Sequence, residues 1–202
     1  MSGASERAPP GAADSTSRDA ILVIGVHREE LAFGDAVAAG LEGEAPEILR
    51  IPEGVPRACS APNRRFYSET AHHEIYRQLR QETRRRASIL IDLHCGRDAE
   101  GAAADLYCHD AAFLRAAGAR LAARGLKERV RLIKIVDEAD GPLEARPPDL
   151  DGIAHTWVPR DLWAAAPPLY VGLEIYTAGD AAALPEDAAF ARAVIAALTA
   201  EG

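Results

Sequence analysis

AILVIGV, at residues 20–26, is a continuous apolar run that is typical of a β-strand buried on both faces of a sheet. Working outward from it, five further stretches are predicted to be strands: residues 46–51 (PEILRI), 88–93 (SILIDL), 104–108, 130–136 (VRLIKIV) and 169–176 (LYVGLEIY). Most are apolar throughout, so the sequence predicts a sheet whose central strands are covered by other elements.

Apolar residues recur at helical spacing between these strands, and Ser68 and Asp110 are placed to cap two of the helices. The predicted helices are residues 31–43, 69–85, 111–125 and 185–198. Strands and helices alternate without internal repeats. This order favours the α/β class, as a single three-layer domain with a mostly parallel or mixed central sheet.

Three segments show neither the apolar runs of strands nor the helical spacing of apolar residues. Residues 54–65 are rich in Pro and are predicted to be a loop. Residues 137–168 are acidic and rich in Pro and Gly, and so long a connection is unusual unless it is functional, for example as a lid or a wall of a site. Residues 1–19 lack the apolar core of a signal peptide. We therefore expect a disordered tail ahead of a domain formed by residues 20–202, and a cytoplasmic protein.

The composition narrows the function classes. The 202 residues carry a formal net charge of -8, which argues against a nucleic-acid partner because such binding depends on basic surface. No apolar run approaches the roughly 20 residues that a membrane span requires. Three cysteines without a Cys-x-x-Cys pair fit a reducing compartment, and Cys95 is interpreted as a buried small side chain rather than a nucleophile. A homo-oligomer is left open.

His27 and Glu30 directly follow the first predicted strand. In open α/β sheets, ligands bind at the carboxyl ends of the strands, and a spacing of three at a helix start places both side chains on one side. Imidazole nitrogen and carboxylate oxygen are both zinc ligands. A surface His beside a Glu of a helix N-terminus would give the same pattern, so the pair alone is a weak signal.

Asp92 and His94 end the strand that begins at residue 88. Side chains two apart on a strand point to the same face, and an Asp beside a metal-binding His fixes the tautomer and orientation of its ring. A purely structural Asp–His hydrogen bond is the alternative interpretation.

Glu174 lies inside the last apolar strand. A carboxylate is costly to bury without a partner, so a general base beside a metal is one interpretation and a Glu that reaches solvent or an Arg is the other.

Asn63 and Arg64 lie in the predicted loop, and Arg57 slightly before them. Amide and guanidinium groups bind carboxylates, although incidental loop arginines remain an alternative. His72 is interpreted as a core residue of its helix, and His155 as a residue that lines or covers a pocket.

GVHREEL, NRRF, IDLHCG and VGLEIYT occur in this order. Together they resemble the succinylglutamate desuccinylase and aspartoacylase family, a branch of the zinc carboxypeptidase-like hydrolases. The resemblance implies a zinc carboxypeptidase-like fold in which His27, Glu30 and His94 bind one zinc ion.

The resemblance also implies roles for the remaining residues. Glu174 matches the catalytic carboxylate and Arg57, more loosely, the arginine that stabilises the oxyanion. Asn63 and Arg64 match the substrate-binding pair, and Asp92 would support the zinc ligand beside it. The expected partner is thus a small-molecule or peptide substrate that carries a carboxylate.

We therefore predict a zinc-dependent hydrolase that cleaves an amide bond, as an N-acyl amino acid deacylase or a carboxypeptidase-like enzyme. One alternative is an N-formylglutamate amidohydrolase-like enzyme. Another is a non-catalytic family member that binds a ligand or partner, which the short sequence after Glu174 favours because aspartoacylases carry an extra C-terminal β domain. No Gly-rich phosphate loop follows any predicted strand, which argues against a nucleotide-binding protein.

Overall fold

A computed structural model describes residues 20–41, 46–57, 62–97, 103–137, 147–177 and 184–200, with residues 62–68 described by their backbone alone. Within these ranges the strands are β1 (Ala20–Ile24), β2 (Glu47–Arg50), β3 (Ile89–Gly96), β4 (Ala104–Cys108), β5 (Val130–Ile135), β6 (Gly152–Ala154) and β7 (Leu169–Tyr176). The helices are α1 (Leu31–Ala38), α2 (Pro62–Thr83), α3 (Ala111–Ala123), α4 (Arg160–Trp163) and α5 (Leu184–Thr199).

The described strands form one sheet in the order β2-β1-β3-β7-β4-β5-β6. Neighbouring strands are parallel throughout, except that β4 pairs with β7 in the antiparallel direction. The predicted α/β class with a mixed central sheet is therefore confirmed.

Two apolar cores cover the two faces of the sheet. On one face, Leu22 and Leu173 pack with side chains of α1, α3 and α5. On the other face, Ile21 and Leu90 pack with side chains of α2 and α4. Because side chains alternate along a strand, residues of β1 contribute to both cores, which explains its uninterrupted apolar sequence.

A polar row interrupts the second face. His94 on β3, Glu174 on β7, Asp105 on β4 and Arg131 on β5 are successive register partners across four adjacent strands. Residues directly opposite each other in a sheet project to the same side. The register thus gathers four ionisable side chains on the face that α2 and α4 cover.

The predicted start of α2 was wrong. The helix begins at Pro62 rather than after Ser68, so Asn63 and Arg64 are helical and do not lie in a loop. A Pro is tolerated in the first turn because its missing N–H has no intrahelical partner there. The apolar stripe that predicted the helix starts only near His72, so the pattern could not indicate the earlier turns.

The prediction of an unstructured segment at residues 137–168 was also wrong in part. Short elements, β6 and α4, form inside it, and β6 is a parallel edge strand on β5. Three or four residues give too little pattern to identify such elements from sequence.

Among the described helices, none is both long enough and apolar enough to cross a membrane. The predicted tail at residues 1–19 lies outside the described residues.

Candidate active site

His27, Glu30 and His94 converge at the carboxyl ends of β1 and β3. His27 Nδ1 lies 3.1 Å from Glu30 Oε1, and His94 Nδ1 lies 2.9 Å from Glu30 Oε2. Each residue offers one ligand atom, and the three atoms all lie within 4.8 Å of one another. This group of side chains can hold a metal ion.

The backbone after β1 determines this convergence. His27 forms an isolated parallel bridge with Val55, and the Arg28 N–H donates to the Val55 carbonyl at 3.0 Å. A single 3-10 turn, Arg28–Glu30, then brings the Glu30 side chain back toward His27. Gly54 permits the close approach, because a Cβ there would lie 2.0 Å from the carbonyl oxygen of Gly25.

The donor set fits zinc. Two imidazole nitrogens and one carboxylate oxygen are the ligands of many catalytic zinc sites, which leave a fourth position open. Glu30 is only 4% exposed. Its burial would raise its pKa, but the hydrogen bonds to His27 and His94 outweigh burial and lower the pKa to about 2, so the Glu30 carboxylate is ionised.

Asp92 supports the ring of His94 from behind. Asp92 Oδ2 lies 3.1 Å from His94 Nε2, so the ring presents Nδ1 to the centre. Tyr76 and Tyr170 donate to the same oxygen at 2.7 and 2.9 Å. Burial would raise the pKa of the fully buried Asp92, but His94 and the two phenols lower it. A carboxylate behind a histidine ligand is the arrangement that orients imidazoles at metal centres.

Glu174 lies beside His94 and is bound to Arg57. The Arg57 Nη2 donates to Glu174 Oε1 at 2.6 Å, and its Nη1 donates to Glu30 Oε1 at 2.9 Å. Arg57 Nη1 also donates to the carbonyl oxygen of Cys95. One guanidinium group therefore bridges two carboxylates of the site. Gly96 makes room for this bridge, since a Cβ there would lie 2.3 Å from Glu174 Oε1.

Sequence reasoning missed a second ionic cluster, in the same polar row. Asp105 is 2% exposed and accepts hydrogen bonds from Arg131 Nε at 2.6 Å, from Tyr107 at 2.9 Å and from Tyr176 at 2.8 Å. The signal in the sequence was an Asp inside the apolar strand ADLYC. It could be interpreted only with knowledge of which strands pair with β4.

A cavity of about 320 Å³ opens beside His27 and His94. His72 lines it rather than the core, with its ring stacked on that of His27 at a centroid distance of 5.6 Å. Residues 152–158, which we call the wall segment, form the opposite side through residues that include His155 and Trp157.

The side chains of Asn63 and Arg64 lie outside the described residues, so their predicted role in substrate binding stays a prediction.

Burial, together with the charges of Glu30 and Glu174, raises the pKa of the Cys95 thiol to about 12. A thiol with so high a pKa is a poor nucleophile at neutral pH.

No protein-family model matches this sequence, and no curated protein matches it. Solved structures do share the fold. A variant of the cell shape determinant protein Csd4 from Helicobacter pylori gives a TM-score of 0.50 at 13% sequence identity, over 91% of this chain and 51% of that chain. The fold of this chain is similar to that of Csd4.

Two other solved structures show weaker likeness. Murine aminoacylase 3 gives a TM-score of 0.49 at 11% identity, over 92% of this chain and 66% of that chain. The catalytic domain of CwlV, an N-acetylmuramoyl-L-alanine amidase from Bacillus (Paenibacillus) polymyxa var. colistinus, gives 0.45 at 13% identity, over 89% and 96%. This chain thus spans about half of Csd4, just under two thirds of aminoacylase 3 and nearly all of the CwlV catalytic domain. At these identities the likeness concerns the fold alone.

Proposed function

We propose that this protein is a zinc-dependent hydrolase that cleaves an amide bond of a small substrate bearing a carboxylate, such as an N-acyl amino acid or a peptide C-terminus. The observation that carries the proposal is the convergence of His27, Glu30 and His94 within 4.8 Å, with Glu174 in register beside His94. Three protein ligands and one neighbouring carboxylate are the components of zinc-dependent amide hydrolysis.

His27, Glu30 and His94 would hold the ion. When bound, zinc supplies a Lewis acid that polarises the scissile carbonyl and acidifies water. Asp92 keeps the His94 ring in the orientation that presents Nδ1 to the centre, through its contact with Nε2 at 3.1 Å. The ring therefore needs no reorientation when the metal binds.

Glu174 acts as the general base and then as the general acid. Its carboxylate takes a proton from the attacking water and returns a proton to the nitrogen of the leaving amine, so that the amine departs neutral. Register pairing means that the backbone of Glu174 lies one interstrand distance, about 4.8 Å, from that of His94, so both side chains project from the same face.

Arg57 stabilises the negative charge that develops on the carbonyl oxygen. Its Nη1 and Nη2 groups already face Glu30 and Glu174, so the cation is held beside the reacting centre before substrate binds. Asn63 and Arg64 bind the substrate carboxylate in this proposal, by analogy with the family that the sequence resembles.

Metal analysis of purified protein and of two variants tests the proposal. We expect one zinc ion per chain in the wild type and loss of the metal in His27→Ala. We expect Glu174→Gln to keep the metal while hydrolysis of N-acyl amino acids falls by roughly 10²–10⁴-fold. His73→Ala is the matched control, because His73 is an exposed histidine on α2 that is not part of the ligand group.

Two results would contradict the proposal. A wild type without a stoichiometric divalent metal, or a His27→Ala variant that binds as much metal as the wild type, removes the metal centre. A metal-loaded wild type that binds N-acyl amino acids but hydrolyses none identifies a ligand-binding protein without turnover.

A further inference from the structure

The cavity beside the metal ligands is large enough for a ring or a branched chain. It measures about 320 Å³ and lies between His27, His94 and Glu174 on one side and the wall segment on the other. A cavity of roughly 150 Å³ already accommodates benzene. The space next to the scissile bond therefore takes a substantial group of the substrate.

The lining presents apolar surface to this space. Three tyrosines line it, but their hydroxyl groups are used elsewhere: Tyr76 and Tyr170 donate to Asp92, and Tyr107 donates to Asp105. Tyr107 is only partly buried, so its ring rather than its hydroxyl group is available to a ligand, whereas Tyr76 and Tyr170 are 1% and 3% exposed and lie behind the cavity surface. The aliphatic side chains of Ile135, Ala154 and Val158 complete this surface.

Among the residues described as lining the cavity, none is a Lys or an Arg. The carboxylate of Glu174 is already paired with Arg57 at 2.6 Å. A charged group that lies against the tyrosine ring and the aliphatic side chains, away from the proposed metal ligands, would lose its hydration without meeting a Lys or an Arg, which is costly.

We propose that this cavity is the subsite for an uncharged apolar group, aromatic or branched aliphatic, attached next to the scissile amide. The inference rests on the proposed function and specifies its substrate class. It differs from what the sequence resemblance implies, because succinylglutamate carries an acidic group on both sides of its amide and acetylaspartate carries one on its amino-acid side chain. Hydrolysis would favour N-acyl amino acids or small peptides whose side group or acyl group is apolar.

Matched substrates test the preference on both sides of the amide. N-acetyl-L-phenylalanine and N-acetyl-L-leucine are compared with N-acetyl-L-aspartate and N-acetyl-L-lysine, and N-benzoylglycine with N-succinylglycine. We expect kcat/KM for the apolar member to exceed that of the charged members by at least roughly tenfold in one of the series, since an unpaired charge must be desolvated.

Ala154→Arg provides the decisive variant. Ala154 ends the edge strand β6 and lines the cavity, so an Arg there adds a cation to the subsite without altering the proposed metal ligands. We expect the preference to move at least roughly tenfold toward N-acetyl-L-aspartate or N-succinylglycine. Ala164→Arg is the control, because Ala164 is exposed and is not a lining residue of this cavity.

The outcomes separate this inference from the proposed function. A wild type that prefers acidic substrates in both series, or an Ala154→Arg variant with unchanged preference, overturns the inference while hydrolysis itself upholds the function. If no substrate is hydrolysed, the function fails, and calorimetric titration of the same ligands into metal-loaded protein decides the subsite. Tighter binding of the charged ligands would then overturn it, and tighter binding of the apolar ligands would support it.

Discussion

His94 on β3 and Glu174 on β7 are register partners in a parallel pair, so the proposed metal ligand and the proposed general base project from one face of the sheet. Their backbones are separated by the ordinary interstrand distance of about 4.8 Å. The relative position of the two groups is therefore a property of the sheet rather than of any loop.

Replacement of Asp92 by Asn is expected to weaken zinc binding by about 10–100-fold, because the carboxylate behind His94 orients the ring and raises its basicity. Competition with a chromogenic chelator measures the affinity. Tyr170→Phe is the control, since it removes one of the two phenol hydrogen bonds to Asp92 and leaves the contact with His94 in place. Equal zinc affinity in Asp92→Asn and the wild type would contradict the prediction.

Replacement of Gly96 by Ala is expected to reduce kcat by at least roughly tenfold without loss of the metal. The added Cβ would lie 2.3 Å from Glu174 Oε1, so this carboxylate must move away from Arg57. Steady-state kinetics together with zinc content check the result. Gly152→Ala is the matched control, because a Cβ there meets nothing closer than 3.8 Å. If both variants retain full activity, the position of Glu174 has no catalytic importance.

Replacement of Cys95 by Ala is expected to change kcat/KM by no more than about twofold, because the proposed mechanism uses no thiol. Burial raises the pKa of Cys95 to about 12. At about pH 8, then, roughly one thiol in ten thousand is ionised, and alkylation by iodoacetamide is expected to be slow. Mass spectrometry after timed alkylation measures this rate. Rapid alkylation that abolishes activity would instead assign a catalytic role to the thiol.

The stability of the metal-free protein is expected to fall in mild acid because of His72. Burial lowers the pKa of His72 from 6.5 to about 4 in the folded state, so the unfolded chain binds this proton first. The contribution of the neutral His72 side chain to the free energy of unfolding is fully present above the unfolded pKa of about 6.5. It is lost as the pH falls toward 4. Urea unfolding at several pH values should show a smaller acid loss in His72→Gln. The exposed His73→Gln is the control, and an identical acid loss in all three proteins would refute the assignment.

Six of the seven described strands could be predicted from the sequence, although β3 extends to Gly96 rather than ending at residue 93. Buried parallel strands have a simple pattern, a short apolar run, and polar residues such as Asp92 and His94 at its carboxyl end are conspicuous against it. The spacing of His27 and Glu30 likewise indicated that their side chains converge. These features are local, so one segment of sequence contains all the information they require.

Contacts between distant segments could not be predicted in this way. The bridge from Arg57 to Glu30 and Glu174 joins residues 27 and 117 positions apart. The pairing of Asp105 with Arg131 depends on β4 lying beside β5. Sheet order and strand direction decide which side chains meet, and a single sequence contains no direct record of either.

The wall segment stands apart from the strands that hold the reacting groups. Its residues belong to the edge strand β6 and the chain after it, whereas Glu174 and His94 belong to the central strands. Changes in the wall can therefore accumulate without disturbing the distance between base and metal ligand. Over evolution, such a division lets one catalytic apparatus be retained while the compounds it accepts diverge, and it makes residues 152–158 the natural place to begin laboratory redesign.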